Sequence, residues 1–231
     1  MNRKTILMSP ADSNISNFFE KQFNVIYSEC INEYITFEQY HADMQVLNLN
    51  GTLFIDSRCL NLRTKLNNLE YDYILCDNIG NKYPENVALN AALVGNKLLC
   101  NEKALHHNVK NYCKNNNINI INVKQGYAKC SVIVINNNTI ITDDESIAKA
   151  AIKNRIEVLK IEKGDIHLNN NNVGFIGGAS AIIGDTVYFF GDIMMHRNAD
   201  KISEFLCKHN KDFKSVARSK LVDIGGIVNL D

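Results

Sequence analysis

Two short segments carry the residue types needed for thiol chemistry. The segment "GYAKCS" (126–131) places Cys130 at the start of an apolar run, and "HADM" (41–44) places His41 two residues before Asp43. A thiolate attacks electrophilic carbon, an imidazole transfers protons, and a carboxylate holds a cation. The alternative is structural: six of the seven cysteines lie in apolar patterns, so Cys130 would fill the core and His41 would simply bind Asp43.

A cysteine nucleophile requires a thiol whose pKa is lowered by nearby positive charge. Lys129 precedes Cys130 directly, and His41 carries a positive charge when it is protonated. From the sequence we therefore expect Lys129 or His41 to lower the pKa of Cys130.

The chain contains a repeated order of secondary structure that must position these residues. The segments 83–123, 127–161 and 174–216 each read as strand, turn, strand, helix and strand, and 41–77 is a looser copy. The copy at 41–77 contains the hairpin signal Asn50-Gly51. Runs of asparagine at 115–117, 136–138 and 169–172 are predicted to form turns between the periodic elements.

A fifth unit is split between the two ends of the chain. The segment "KLVDIGGIVNL" (220–230) supplies its first strand, and "KTILMS", "SNISNFFEKQF" and "NVIYSE" supply its second strand, helix and third strand. Equivalent points recur every 45 residues or so and so account for the whole chain. These points are Asp43, Asn86, Cys130, Gly178 and Asp223.

An open doubly wound α/β sheet is the alternative, but it needs helical crossovers where these units have hairpins. Five ββαβ units that close on themselves resemble the pentein superfamily. Its members include arginine deiminases, dimethylarginine hydrolases, amidinotransferases and the non-enzymatic translation initiation factor 6. The resemblance implies a single α/β domain over residues 1–231, a five-bladed pseudo-symmetric β/α-propeller. The segments "HADMQ", "YPENVALNA", "GYAKCS" and "GFIGGAS" also resemble an uncharacterised family of short bacterial penteins.

The resemblance assigns roles to the two reactive segments. "HADM" is similar to the segment that carries the general base and a substrate carboxylate in guanidine-modifying members, and "GYAKCS" to the one that carries their nucleophile. It implies Cys130 as nucleophile, with His41 and Asp43 as its catalytic partners. Because strand starts share one face of the ring, the expected substrate-binding residues are Glu85, Asn86, Lys129, Ser131, Gly177, Gly178, Asp192 and Asp223.

One position departs from the family pattern. Guanidine-modifying penteins carry acidic residues two units before the histidine, where this chain has Gly177 and Gly178. Glu85, in the neighbouring unit, is a possible substitute. Two function classes remain open: a hydrolase or deiminase acting on a small amidino, guanidino or amide compound, and a non-catalytic pentein that binds a ligand or macromolecule.

The amino-acid composition narrows the classes of partner that the protein is expected to bind. Lys plus Arg equals Asp plus Glu, 25 against 25, so the net charge does not favour nucleic acid or an anionic membrane. Seven cysteines without CxxC spacing argue against a disulfide framework and a zinc site. The apolar stretch near the amino end is too short for a signal peptide. We expect a cytoplasmic protein with a small-molecule ligand and neither catalytic metal nor cofactor.

Overall fold

The computed structural model describes residues 3–168 and 172–231. In this part of the chain the strands are β1 (Thr5–Met8), β2 (Asn24–Tyr27), β3 (Val46–Leu49), β4 (Thr52–Asp56), β5 (Tyr73–Cys76), β6 (Ala92–Val94), β7 (Lys97–Cys100), β8 (Asn119–Asn122), β9 (Val132–Asn136), β10 (Thr139–Thr142), β11 (Glu157–Lys160), β12 (Ile166–Leu168), β13 (Asn172–Val173), β14 (Ser180–Ile183), β15 (Thr186–Phe189), β16 (Asp212–Ser215), β17 (Leu221–Val222) and β18 (Ile227–Asn229). The helices are α1 (Ser13–Glu20), α2 (Ala42–Gln45), α3 (Leu60–Asn68), α4 (His107–Asn115), α5 (Glu145–Lys153) and α6 (Ala199–Lys208).

Five three-stranded sheets share one topology. In each, the middle strand pairs antiparallel with the first strand of the unit and parallel with the strand that follows the helix. The sheets, written in the order first, middle and third strand, are β3-β4-β5, β6-β7-β8, β9-β10-β11, β14-β15-β16 and β18-β1-β2. The last sheet confirms the predicted split unit, because Leu7 of β1 pairs with Val228 of β18. We refer to the first strand of each sheet as its inner strand.

The local sequence explains the turns and helix starts. Asn50 and Gly51 have φ values of 54° and 91°, which confirms the predicted hairpin, since asparagine and glycine tolerate positive φ. The asparagine runs at 115–117 and 136–138 also form turns, whereas 169–171 lie outside the described residues. Helix α1 begins after Asp12, whose carboxylate accepts hydrogen bonds from the backbone nitrogens of residues 14 and 15.

The hydrophobic core is divided among five clusters, each of which joins two neighbouring units. One cluster, for example, packs Leu7 and Val228 of the split unit against Val46 and Leu62 of the next. The other four clusters join the remaining neighbours in the same way. Burial of apolar surface between units therefore stabilises the arrangement of the sheets as well as each sheet.

A sixth, small sheet was not predicted. Strand β12 pairs with β13 antiparallel and with β17 parallel, and it lies between the units that contain β9 and β14 in the chain. The two- and three-residue strands carry too little alternation to be recognised as strands from sequence.

None of the helices in the described ranges has the length and apolar character needed to span a membrane.

A circular permutant opened at Asn137 is expected to fold with stability similar to that of the parent. The new opening lies in the exposed turn 136–138, and the original ends are adjacent because Thr5 and Asp231 share a hydrogen bond of 2.6 Å. Urea unfolding of both proteins measures the difference. A permutant opened inside buried β10 is the control and should be unstable. Equal loss of stability in both permutants would contradict the pairing of β18 with β1.

Candidate active site

Cys130 lies in the turn that leads into β9, at the strand start where the sequence placed it. Its side chain is 2% exposed, and its Sγ donates a hydrogen bond of 2.9 Å to Oδ2 of Asp43. The turn is held by backbone hydrogen bonds from Ser131 to Tyr127 and from Val132 to Lys129. The thiol is thus fixed against a carboxylate from another unit of the fold.

His41 and Asp43 reach the site from the one-turn helix α2. His41 precedes the helix and is 7% exposed, while Asp43 lies in it and is 2% exposed. Gly225, with φ of 77°, passes so close that a Cβ atom there would lie 2.5 Å from Cβ of His41. Glycine at 225 therefore allows the chain before β18 to pack against the histidine.

The reactive atoms of His41, Asp43 and Cys130 all lie within 4.8 Å of one another. The two segments selected from sequence are thus brought together across the fold. A histidine, a carboxylate and a thiol in this arrangement are also a possible ligand set for a divalent ion. The expectation of no catalytic metal remains a prediction.

Asn90, which the sequence analysis did not select, connects these groups. Its Oδ1 accepts hydrogen bonds from the backbone nitrogens of Lys129 (2.8 Å) and Cys130 (3.4 Å). Its Nδ2 donates to Sγ of Cys130 at 3.2 Å and to the carbonyl oxygen of Asp43 at 3.3 Å. Asn90 therefore fixes the distance between the thiol and the carboxylate.

Hydrogen bonds link all five units at this end of the inner strands. Asn90 bonds to Cys130 and Asp43 as described. The nitrogen of Asp43 donates to the oxygen of Gly225 (3.3 Å), that of Gly226 to Gly178 (2.9 Å), and that of Gly178 to Cys130 (2.9 Å). The resulting closed circuit, which we call the hydrogen-bond circuit, passes through the strand starts of all five units. The site is built on this circuit.

Glu38 is a second residue that the sequence analysis missed. It lies in the segment between β2 and α2 and is 4% exposed. Its carboxylate accepts hydrogen bonds from the hydroxyl of Tyr127 (2.6 Å) and Nδ2 of Asn86 (2.8 Å). The Tyr127 ring stacks between Tyr83 and Phe175, at centroid distances of 5.7 and 6.0 Å. A buried carboxylate beside an aromatic wall thus lies close to the histidine, since the backbone nitrogen of His41 donates to the carbonyl oxygen of Glu38 (3.0 Å).

Asp223 takes the space beside Gly178. A Cβ atom at Gly178 would overlap Oδ1 of Asp223. This carboxylate accepts hydrogen bonds from the backbone nitrogens of Phe175 (2.8 Å) and Gly225 (2.9 Å). Gly177 has no room for a side chain either, because a Cβ there would meet the carbonyl oxygen of Cys130 at 2.7 Å. Glycine at 178 thus makes room for an acid of the next unit, and glycine at 177 lets the backbone pack against the turn that carries the thiol.

The other predicted site residues are distributed differently. Ser131 is fully buried beside Cys130, and the Asn86 side chain reaches the site through Glu38. Glu85 is exposed and lies over Gly80, and Asp192 caps the 3-10 helix Ile193–Met195. Neither of these two carboxylates contacts the cluster of His41, Asp43 and Cys130. The predicted strand start near Asn86 is a 3-10 helix, and β6 begins only at Ala92.

The sequence matches a family model, "Family of unknown function (DUF6873)", over residues 8–228. The chain belongs to this family. No curated protein sequence matches the chain.

Solved structures that are similar to this fold include enzymes of low sequence identity. C. jejuni agmatine deiminase is 14% identical with a TM-score of 0.60, and the match covers 99% of this chain and 93% of the deiminase. A Pseudomonas aeruginosa DDAH mutant complexed with citrulline is 10% identical with a TM-score of 0.61, covering 99% and 100% of the two chains. Cyanobacterial ArgZ, an arginine dihydrolase, is 9% identical with a TM-score of 0.57, covering 99% and 39%. The DUF6873 chain has the mixed α/β fold of the pentein superfamily.

The electrostatics of the thiol differ from the expectation. Burial raises the pKa of Cys130 well above its usual value, and the charges of Asp43 and Asp223 raise it further. The hydrogen bond from Asn90 opposes this rise. The positive charges of Lys129 and His41 do not outweigh these effects. The thiol of Cys130 in the DUF6873 chain is therefore protonated and donates its hydrogen bond to Asp43.

Asp43 is itself perturbed by its surroundings. Burial raises its pKa to about 6, and His41, the thiol of Cys130 and Lys129 each oppose that rise. Between about pH 4 and pH 6, Asp43 therefore keeps its proton in the folded chain, whereas it has released that proton in the unfolded chain. Folding stability from this group decreases as the pH rises through that window. The carboxylate is retained at a cost in stability, which is typical of functional sites.

Proposed function

We propose that the chain is a cysteine-dependent hydrolase or deiminase that acts on a small amidino, guanidino or amide compound. Cys130 is the nucleophile, His41 the general acid and base, and Asp43 a substrate-binding carboxylate. The observation that carries the proposal is the convergence of their reactive atoms within 4.8 Å in a buried site. The likeness of the fold to deiminases and to DDAH supports the same reaction class.

The reaction begins when a bound substrate displaces the thiol from its hydrogen bond to Asp43. The thiol proton passes to His41, and the sulfur adds to the electrophilic carbon. The imidazolium then protonates the leaving amine. Water adds to the carbon, loses a proton to His41, and the carbon–sulfur bond breaks to release the product and the thiolate. The seven cysteines are free thiols, which suits a reducing cytoplasm.

Glu38 and Asp223 supply the acidic groups that the sequence lacks at Gly177 and Gly178. Both carboxylates are buried and held by hydrogen bonds, Glu38 by Tyr127 and Asp223 by backbone nitrogens. A buried cation requires such partners, because an unpaired buried charge costs several kcal/mol. In this proposal they balance the positive charge that His41 acquires when it takes the thiol proton.

We also propose that the five units form one closed domain, a five-bladed β/α-propeller over residues 1–231. Two observations support closure. The hydrogen-bond circuit returns to its starting unit, and each of the five hydrophobic clusters joins one pair of neighbours. Closure would also place the unpaired edges of the inner strands at the centre of the ring, where they are protected from pairing with other chains.

The second candidate is a non-catalytic binding protein. The observation that favours it is the protonated, buried thiol, whose pKa lies well above the usual value. In a binding protein the hydrogen bond between Cys130 and Asp43 would be structural. The two candidates differ in what happens when Cys130 is changed.

Release of ammonia or amine from a panel of amidino, guanidino and amide compounds tests the enzyme. The parent protein is expected to release product from at least one compound class, and Cys130→Ala to release none. His41→Ala is expected to reduce the rate by a factor of about 10² to 10⁴, as for loss of general acid–base catalysis. Mass spectrometry of the quenched parent reaction should detect substrate attached to Cys130, and that of His41→Ala should detect less.

Cys207→Ala is the matched control, because Cys207 is an exposed cysteine on α6 and not part of the cluster of His41, Asp43 and Cys130. It should leave the rate unchanged. Turnover that survives in Cys130→Ala would overturn the assignment of the nucleophile. A panel compound that binds equally to the parent and Cys130→Ala, without turnover by either, would favour the binding protein.

A further inference from the structure

A cavity of about 280 Å³ runs between the inner strands on the far side of Asp43 and Lys129. It is lined by residues from all five units, among them Val46, Leu93, Val132, Ile182 and Val228. Its volume is near the lower limit for small-molecule pockets, about 300 Å³. The walls are mainly apolar aliphatic side chains, so the cavity suits a small ligand with an apolar tail.

The inner end of the cavity is polar. Asp43 lines it, and Oδ1 of this carboxylate has no hydrogen-bond partner among the described residues although it is buried. Lys129 lines it too, and its Nζ lies beside Gly226, where a Cβ atom would be 3.9 Å away. Buried polar atoms without partners are rare in proteins and require an explanation. A ligand that donates a hydrogen bond to Asp43 provides one.

The opposite end of the cavity is open. Lining residues near the strand starts are buried: Val46 is 2% exposed, Val132 0% and Ser180 2%. Residues two positions further along two of these strands, Val134 and Ile182, are half-buried. Exposure therefore increases away from Cys130. A ligand would enter at the far ends of the inner strands and place its head beside Asp43, whose other carboxylate oxygen accepts the hydrogen bond from the thiol of Cys130.

The two charged residues restrict the chemistry of that head. A guanidinium or amidinium would meet the ammonium of Lys129, and a carboxylate would meet Asp43; like charges at close range are unfavourable in a buried site. A neutral carboxamide or ureide avoids both conflicts. Its carbonyl oxygen accepts a hydrogen bond from Lys129, and its NH₂ group donates one to Oδ1 of Asp43.

We propose that this cavity binds a small neutral carboxamide or ureide with an unbranched apolar tail, its head between Lys129 and Asp43. The inference deepens the proposed function and rests on it only for the reaction at Cys130. For a carboxamide, Sγ of Cys130 adds to the carbonyl carbon, and ammonia leaves with a proton from His41. Water then cleaves the thioester to give the carboxylic acid and restores the thiol.

Binding to Cys130→Ser protein, which cannot turn the ligand over, tests the head group. Three compounds with the same tail are compared by calorimetry: hexanamide, hexanoate and hexanamidine. Hexanamide is expected to bind at least about tenfold more tightly than either charged compound. Each charged compound loses one of the two hydrogen bonds of the head group, and one lost hydrogen bond corresponds to about that factor in affinity. Tighter binding of hexanamidine than of hexanamide would overturn the proposal.

Lys129→Met and Asp43→Asn in the Cys130→Ser background test the two polar contacts. Met keeps the length and apolar character of the lysine side chain, and Asn keeps the shape of the carboxylate. Lys129→Met should weaken hexanamide binding about tenfold and remove the penalty against hexanamidine. Asp43→Asn should remove the penalty against hexanoate. Unchanged preferences in both variants would place the ligand elsewhere and overturn the proposal.

Ile182→Phe tests the entrance, since it adds bulk at the open end. It should weaken hexanamide binding, whereas Ile152→Phe, the same change on the exposed face of α5, should not. Equal binding in both variants would contradict this entrance. Turnover separates the two proposals. Binding of hexanamide, with no turnover of any panel compound by the parent, would refute the enzyme and leave this site, whereas hydrolysis of amidines without amide binding would do the reverse.

Discussion

Replacing Asp43 with Asn is expected to increase the alkylation rate of Cys130 at pH 8 by about tenfold or more. Next to burial, the charge of Asp43 is the largest cause of the raised thiol pKa, and its hydrogen bond adds to the effect. A neutral amide removes that charge, so the thiolate fraction at a given pH rises. Tenfold corresponds to a fall of one unit in the pKa of the thiol.

The measurement is the rate of modification by iodoacetamide against pH in a background that lacks Cys30 and Cys207, because Cys207 is exposed and Cys30 is half-buried. The variant curve should be displaced to lower pH than the parent curve. Asp192→Asn, a carboxylate remote from the thiol, is the control and should leave the curve in place. Superimposable curves for Asp43→Asn and the parent would show that Asp43 does not hold the thiol proton.

Gly177→Ala is expected to lower the free energy of unfolding by about 3 kcal/mol, near the upper end of overpacking costs. The added Cβ would lie 2.7 Å from the carbonyl oxygen of Cys130 and closer still to those of Lys129 and Val132. Backbone atoms cannot rotate away from such a contact as side-chain atoms can. The turn that holds the thiol must therefore move, and urea unfolding measures the loss.

Gly126→Ala is the matched control for this substitution. The three atoms nearest its new Cβ are outer atoms of the Tyr83 ring, and that side chain is 52% exposed, so it can shift more easily than backbone. Its loss should stay below about 1 kcal/mol. A similar loss in both variants, or a small loss at Gly177, would mean that the close approach of the backbone does not constrain the site.

The repeated strand order was predictable because each unit carries strong local signals. Hairpin turns such as Asn50-Gly51 and helix starts such as Asp12 act within a few residues, and periodic apolar residues fill the space between them. The split unit followed from counting repeats, and the pairing of Leu7 with Val228 confirms it. The small sheet formed by β12, β13 and β17 lacks such signals and was missed.

The site was predictable only in part. Residue types identified Cys130, His41 and Asp43. Asn86, however, was predicted at the start of a strand, whereas it lies in a 3-10 helix and the strand begins close to Asn90 instead. Asn90 and Glu38 lie in irregular segments, where no periodicity indicates which side chains face inward. The thiol pKa was expected to fall because sequence shows the neighbouring charges without showing burial, and burial is the largest cause of its rise.

The split unit has a consequence for synthesis on the ribosome. Strand β1, all four residues of which are buried in the folded chain, is translated before its antiparallel partner β18, with the other described strands between them. Until β18 emerges, the nascent chain presents β1 with an unpaired, apolar edge, which is a template for aggregation. Gly225 and Gly226, which complete the hydrogen-bond circuit around the thiol, are made just before β18. The reactive centre is therefore assembled only after the other four units have been translated.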